Sequence, residues 1–329
     1  MIKAFAGNIA FVLVIIPLII ATNLTLELFF NAFNTSELHV TNLLDIRLTP
    51  FNYWLNFSMV LVLLSLNAVL INFTFNSHEF FERNTYLPSL LYVLLVGFFP
   101  LSIYVNGELF AQTFAILAIN QVFNIRQSED ARKWIFNTSF FLGIAFIFNP
   151  VYSAFLIVAY AILFTIRPFV IREFILGLIG FVIPLMWLLL YQLAVQSTST
   201  IETVSFLKNH FGENAAFLEF DRLPYWIIIS PNLLIVPLLV FSLVYLSRKY
   251  TKSSIRFKRL AQSALYFVVA AVIVSALMFV TAESYYYFSI GAVVLPLVLP
   301  YGYLEAKTKT FAVAIIYLLI ALHIVKFIV

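Results

Sequence analysis

Two carboxylates lie eight residues apart in a mixed polar and apolar segment near the start of the chain. Glu37 and Asp45 both fall within Thr22–Phe51. A carboxylate within hydrogen-bond reach of an attacking hydroxyl can take its proton and act as a general base. If this segment were helical, the two side chains would lie on nearby faces of the helix. We therefore predict Glu37 and Asp45 as candidate catalytic residues, with two solvated loop acids as the alternative.

Two basic residues in a second polar segment could hold a phosphate group. Lys208 and Arg222 are the only Lys or Arg residues in Gln196–Leu223, and a guanidinium binds phosphate through paired hydrogen bonds. We predict both as substrate- or phosphate-binding residues. The alternative is that they pair with the neighbouring acids Glu219 and Asp221.

A further acid opens an apolar run. Glu108 follows Asn106-Gly107 and precedes Leu109–Ile125. An ionisable side chain at the end of a membrane-length run is costly to bury and is a functional candidate by default. We predict that Glu108 contributes to substrate or phosphate binding. The alternative is a carboxylate that is stabilised by the positive end of its helix dipole.

The residues that thiolate metal sites, histidine metal sites and glycine-rich phosphate-binding loops require are missing or wrongly spaced in this sequence. The chain has no cysteine, which excludes disulfides and thiolate metal sites. Its four histidines are scattered without metal-ligand spacing, and its nine glycines form no phosphate-binding loop. The sequence therefore predicts no cofactor, offers no support for ATP hydrolysis or zinc hydrolysis, and leaves metal binding open.

The elements that would position these residues are helices in a membrane. Hydrophobic residues make up 63% of the chain and charged residues 10%, whereas soluble proteins have about 25% charged residues. Continuous apolar runs favour membrane helices over a barrel. We predict an all-α polytopic membrane protein, a single transmembrane domain over residues 1–329 without a soluble domain. About eleven spans are predicted: Ala4–Ala21, Asn52–Phe73, Leu87–Tyr104, Leu109–Ile125, Trp134–Asn149, Val151–Ile166, Phe174–Gln192, Pro224–Ser247, Leu260–Thr281, Ser284–Tyr301 and Thr310–Val329.

The placement of lysine and arginine orients these spans, because cytoplasmic loops carry an excess of both residues. A cytoplasmic N-terminus puts fifteen of the 19 Lys and Arg residues inside and leaves outside only Arg47, Lys208, Arg222 and Lys326. The C-terminus is then outside, as are the loops 22–51 and 196–223, both of which hold more acids than bases. We expect any site to lie where these two loops meet.

The densest charge cluster is the predicted inner loop 248–259, with six bases and no acid. It could bind anionic lipid or nucleic acid. The alternative, which we favour, is an anchor that fixes the orientation of the flanking spans. Membrane lipid is therefore an expected partner, and nucleic acid is not.

The order of features from Leu87 onward resembles the GT-C superfamily of polytopic glycosyltransferases that use lipid-linked sugars. The resemblance covers about a third of the chain and depends on hydropathy and on these residues: Phe99-Pro100-Leu101-Ser102, Gly107-Glu108, Arg126–Lys133, Leu142-Gly143-Ile144-Ala145, Asn149-Pro150, Arg167-Pro168 and Pro184-Leu185-Met186-Trp187.

This resemblance implies a helical-hairpin core that handles a polyprenyl-phosphate-linked sugar at the periplasmic face, with a divalent metal allowed. It implies a catalytic acid in the first outer loop, which would be Glu37 or Asp45, although these enzymes often carry an adjacent Asp-Glu pair. The chain also looks like a group of multi-pass inner-membrane proteins of Bacteroidota, through Glu82–Pro88 and Leu91–Leu95. That second resemblance implies a bacterial inner-membrane location and no activity.

Three functions follow from these observations. The first is an enzyme of the glycosyltransferase type acting on a lipid-linked substrate. The second is a non-enzymatic membrane subunit of a cell-envelope assembly, with other envelope membrane proteins as partners. The third is a lipid or solute transporter or flippase, which proline-interrupted spans would permit.

Overall fold

The computed structural model describes residues 2–7, 11–30, 53–98, 105, 107–125, 130–196, 225–282, 288–306 and 309–325. All regular secondary structure in these ranges is helical, as predicted. The helices are α1 (Ile2–Phe5), α2 (Val12–Phe30), α3 (Tyr53–Ser77), α4 (Leu87–Val96), α5 (Gly107–Ile125), α6 (Arg132–Phe148), α7 (Ala154–Ile166), α8 (Ile171–Gln196), α9 (Tyr225–Lys252), α10 (Ile255–Ala282), α11 (Phe288–Val294), α12 (Tyr301–Leu304) and α13 (Thr310–Val325). Two 3-10 turns, Pro150–Ser153 and Leu295–Leu297, precede α7 and α12.

Four of these helices are long and apolar enough to cross a membrane, and shorter apolar helices lie on most of the other predicted spans. Large apolar side chains on them are exposed: Trp54 by 72%, Trp187 by 69% and Leu233 by 68%. Water would penalise such a surface, whereas lipid would not. The membrane-length segments are Trp54–Ser77, Ile171–Tyr191, Ser230–Lys252 and Ile255–Ala276.

Several predicted boundaries differ from the observed ones, among them those of two predicted loops. The predicted outer loop 22–51 begins inside α2, which continues to Phe30. The hydroxyls of Thr22 and Thr25 donate to the carbonyls of Ile19 and Thr22, which satisfies both polar groups within the helix. The predicted inner loop 248–259 is helical on both sides of the two residues Ser253 and Ser254.

The chain divides into two compact units. One unit contains α1–α4 and α9–α13, and the other contains α5–α8. The helix α4, at the start of the predicted run Leu87–Tyr104, packs on α3 and α11 and belongs to the first unit.

The α5–α8 unit is built around α6, which packs against both α5 and α8. Glycines let α6 and α8 approach backbone to backbone. A Cβ atom added to Gly143 would lie 2.6 Å from the carbonyl oxygen of Phe181, and one added to Gly180 would lie 2.6 Å from that of Phe136. Any larger residue at these positions would force the two helices apart.

In the unit that contains α1–α4 and α9–α13, polar contacts connect segments that are far apart in the sequence. Near the N-terminus, the carbonyl of Phe5 accepts from the Thr85 hydroxyl at 3.0 Å and from the Tyr86 amide at 2.7 Å. The Tyr301 hydroxyl donates to the carbonyl of Phe80. The Lys249 ammonium lies 2.7 Å from Glu305 Oε1 and over the ring of Phe81.

Candidate functional site

The most developed buried polar cluster among the described residues surrounds Glu108. This residue lies in the first turn of α5, and only 2% of its surface is exposed. The Tyr152 hydroxyl donates to Oε1 at 2.6 Å, and the Asn149 side-chain amide donates to Oε2 at 2.5 Å. The Gln112 amide, one turn along α5, lies 3.4 Å from Oε1. Both carboxylate oxygens therefore accept from neutral donors.

The turn between α6 and α7 places two of these donors. Asn149 is extended, with φ −147° and ψ 111°, because the following Pro150 disfavours a helical residue before it. The Asn149 Oδ1 atom accepts from the amide of Val151 at 3.0 Å, which leaves its Nδ2 group to face Glu108. Tyr152 is fully buried in the 3-10 turn, with its ring edge against Phe155.

This arrangement limits what the Glu108 carboxylate can do. Hydrogen bonds from neutral donors stabilise the charged form of a carboxylate. A carboxylate can in general accept a proton from a hydroxyl that lies within hydrogen-bond reach. No cluster of three or more acidic, histidine or cysteine side chains that could hold a metal occurs in the described ranges.

The other predicted site residues lie outside the described residues. These are the candidate bases Glu37 and Asp45 and the candidate phosphate-binding residues Lys208 and Arg222. Of the predicted set, Glu108 is the one whose surroundings the structure describes. Glu108 lies in the first turn of α5, at the start of the apolar run as the sequence indicates, and its predicted role in binding stays a prediction.

A second buried acid, Glu173, was not predicted. It lies in the first turn of α8 and is 4% exposed. Its Oε1 atom accepts from the amide of Ala131 at 3.3 Å and lies 3.8 Å from Nη1 of Arg167. Its Oε2 atom is buried without a hydrogen-bond partner. An acid at the start of an apolar run was the signal used for Glu108, and it could have identified Glu173 as well.

A buried histidine was also missed. His323 in α13 is 5% exposed, and its Nε2 atom lies 2.5 Å from Oδ1 of Asn23 in α2. Gly97 allows this contact, because an added Cβ atom would lie 2.6 Å from the histidine ring. A small cleft beside the pair has Asn23 and Gly97 on its wall, and its other walls are apolar: Ile20, Leu24, Leu64, Val93 and Val96. His323 is one of four scattered histidines, and no spacing in the sequence singles it out.

The Glu108 cluster is the better candidate site of the three. It combines an acid, a phenol and two amides from two separate segments of the α5–α8 unit. Glu173 has fewer donors, and the cleft beside His323 has mostly apolar walls.

Comparisons with known proteins add no assignment to this geometry. No protein-family model matches the chain, and no curated protein or solved structure is significantly similar to it.

Proposed function

We propose that the chain is a multi-pass protein of the bacterial inner membrane, with its N-terminus in the cytoplasm and its C-terminus in the periplasm. The four membrane-length helices and their exposed apolar residues support insertion. The lysine and arginine distribution supports the orientation. Polar contacts between spans agree with alternating directions, since Phe5 meets Thr85 at predicted inner ends and Asn23 meets His323 at predicted outer ends.

We further propose that the protein acts on a polyprenyl-phosphate-linked sugar at the periplasmic face, on a scaffold of the GT-C type. The observation that carries this proposal is the Glu108 carboxylate, buried and held by Tyr152 and Asn149. In the proposed orientation these three residues lie at the periplasmic ends of their helices. That depth suits a reaction next to a lipid phosphate.

In the proposed reaction an acceptor hydroxyl attacks the anomeric carbon of the sugar. The bond from that carbon to the phosphate oxygen breaks, and the hydroxyl proton passes to a carboxylate. A carboxylate repels phosphate, so within its predicted role in substrate or phosphate binding we assign Glu108 to the acceptor hydroxyl. Glu108 is then the base that takes the hydroxyl proton, and Glu37 and Asp45 remain the alternative candidates for that base. Lys208 and Arg222 remain the proposed phosphate ligands.

The test compares two conservative changes in the same unit. Purified full chain in lipid nanodiscs is given a polyprenyl-phosphate hexose and a membrane extract as the source of acceptor, and loss of the lipid-linked sugar is followed by mass spectrometry. Glu108→Gln removes the negative charge at nearly the same shape and should lower the rate at least a hundredfold, within the range for acid–base catalysis. Glu173→Gln, the matched control, should leave the rate unchanged. Turnover by Glu108→Gln equal to wild type would remove the proposed role of Glu108.

A second candidate is a non-enzymatic subunit of a cell-envelope assembly. It is favoured by the three donors on Glu108, which are what a carboxylate with a purely structural role would also have. This candidate predicts that the chain is purified with other membrane proteins in fixed proportion. It also predicts that Glu108→Gln changes stability without changing any lipid-linked sugar.

A further inference from the structure

The turn between α9 and α10 and the helix ends beside it carry a cluster of positive charges. Six bases and no acid lie between Arg248 and Arg259, and four of the bases are exposed to solvent: Arg248, Lys252, Arg256 and Arg259. Arg248 and Lys252 are four residues apart on α9, and Arg256 and Arg259 are three apart on α10. Residues at these spacings share a helix face. Each helix end therefore presents a pair of cations.

The turn itself is short and well capped. It consists of Ser253 and Ser254. The Ser253 hydroxyl donates to the carbonyl of Lys249 at 2.6 Å, and the Ser254 hydroxyl accepts from the amide of Phe257 at 3.4 Å. The first bond closes the last turn of α9, and the second caps the start of α10, with only these two serines between the helices. The exposed bases are thus fixed in one small region instead of being spread along a loop.

One base of the cluster has a different role. The Lys249 ammonium is bound to Glu305 Oε1 at 2.7 Å and lies 4.5 Å from the ring centroid of Phe81. Its side chain is only 15% exposed. Lys249 is engaged inside its own unit, and this contact fixes which side of α9 faces the protein. Lys249 therefore belongs to the packing of its own unit and is not one of the exposed bases.

The cluster lies where a membrane surface would meet the protein. The segments Ser230–Lys252 and Ile255–Ala276 are two of the four membrane-length segments, and the turn joins them directly. Apolar and aromatic residues suited to an interface accompany the bases: Ile255 is 72% exposed, and Arg248 and Lys258 lie over the rings of Tyr245 and Tyr250. Anionic lipids attract basic segments of this kind next to a membrane span.

We propose that the exposed bases of the α9–α10 turn form a binding site for the phosphodiester headgroup of an anionic phospholipid. The site lies at the cytoplasmic leaflet in the proposed orientation. It depends on the proposed membrane insertion and not on the proposed sugar chemistry. An orientation anchor needs only net positive charge on one side, whereas a lipid site needs the bases at this particular turn.

The experiment measures lipid selectivity on the purified full chain. Nanodiscs are made with equal amounts of phosphatidylglycerol and phosphatidylcholine, and the lipids retained by the protein are identified by native mass spectrometry. Wild type should retain phosphatidylglycerol preferentially, and added sodium chloride should reduce this preference because salt screens exposed charges. The double change Lys252→Gln with Arg259→Gln should weaken phosphatidylglycerol binding by about 25-fold, at about fivefold for each base removed.

The matched control removes the same number of charges from another exposed pair. Arg132 and Lys133 at the start of α6 are both exposed, and changing both to glutamine should leave lipid selectivity unchanged. Equal loss in the control and test variants, or a wild type without preference for phosphatidylglycerol or without salt dependence, would overturn the proposal. Displacement of the lipid by millimolar inorganic phosphate would also overturn it, because the site would then bind free phosphate. The assay with Glu108→Gln measures loss of the lipid-linked sugar and not phospholipid binding. The proposed sugar transfer and the proposed lipid site can therefore fail independently.

Discussion

Glu108 and Glu173 are both buried acids in the first turn of a helix of the α5–α8 unit, and their surroundings differ in kind. Glu108 has donors on both oxygens, from Asn149 and Tyr152. Glu173 has one backbone donor on one oxygen and an arginine 3.8 Å away, and its other oxygen has no hydrogen-bond partner. Burial alone therefore does not distinguish the two acids, whereas the number and type of their hydrogen-bond donors do.

The largest change in the free energy of unfolding is expected at Glu108, which has hydrogen-bond donors on both carboxylate oxygens. Glu108→Ala would leave the Tyr152 hydroxyl and the Asn149 amide buried without their acceptor. Buried donors left unsatisfied cost about 1–3 kcal/mol each, so we expect the free energy of unfolding to fall by about 3 kcal/mol. Unfolding in mixed detergent micelles measures this change. Glu108→Gln, which keeps an acceptor oxygen, should lose less; an equal loss would contradict the role given to the hydrogen bonds.

An intermediate effect is expected where α6 meets α8. Gly180→Ala would place a Cβ atom 2.6 Å from the Phe136 carbonyl oxygen. Overpacking should cost about 2 kcal/mol of stability, and the higher helix propensity of alanine should return about 1 kcal/mol. We therefore expect the free energy of unfolding to fall by about 1 kcal/mol. Hydrogen exchange should increase at the start of α6, next to Glu173, and stay unchanged around Asn149.

The control for this glycine change is Gly291→Ala. Its added Cβ atom would meet only the flexible end of Leu295 at 3.3 Å. We expect this variant to be neutral or slightly more stable, because alanine favours the helix. A loss of stability equal to that of Gly180→Ala would show that close backbone approach is not the cause.

The smallest change in the free energy of unfolding is expected at Glu173, which has a hydrogen-bond donor on one carboxylate oxygen. Glu173→Gln keeps an acceptor for the Ala131 amide and removes a buried charge whose Oε2 atom makes no hydrogen bond. We expect the free energy of unfolding to change by less than about 1 kcal/mol, since removing a poorly compensated buried charge offsets the lost attraction to Arg167. The same micelle unfolding assay applies. If Glu173→Gln lowered the free energy of unfolding as much as Glu108→Ala, the proposed difference between the two acids would be wrong.

Much of the fold could be predicted from the sequence, because long apolar runs specify helices without reference to the rest of the chain. The division into two units could not, since it depends on contacts between segments far apart, such as Ser242 donating to the carbonyl of Leu299. The end of α2 at Phe30 was missed because threonine hydroxyls can be satisfied inside a helix and do not mark its end.

The candidate site was predicted in part. The position of Glu108 at the start of an apolar run was enough to single it out. Its partners were not predicted, because Asn149 and Tyr152 lie 41 and 44 residues further along the chain. The Asn149-Pro150 step marked a turn, but nothing local indicated that the turn would face α5.

The same Asn149-Pro150 step has a consequence for the chemical lifetime of the protein. Asparagine normally deamidates when the amide nitrogen of the next residue attacks the side-chain carbonyl and forms a cyclic imide. Proline has no backbone N–H, so this route is closed at Asn149. Deamidation here would place a second carboxylate against Glu108 in place of the amide donor, and the proline protects the pair from that slow damage as the protein ages.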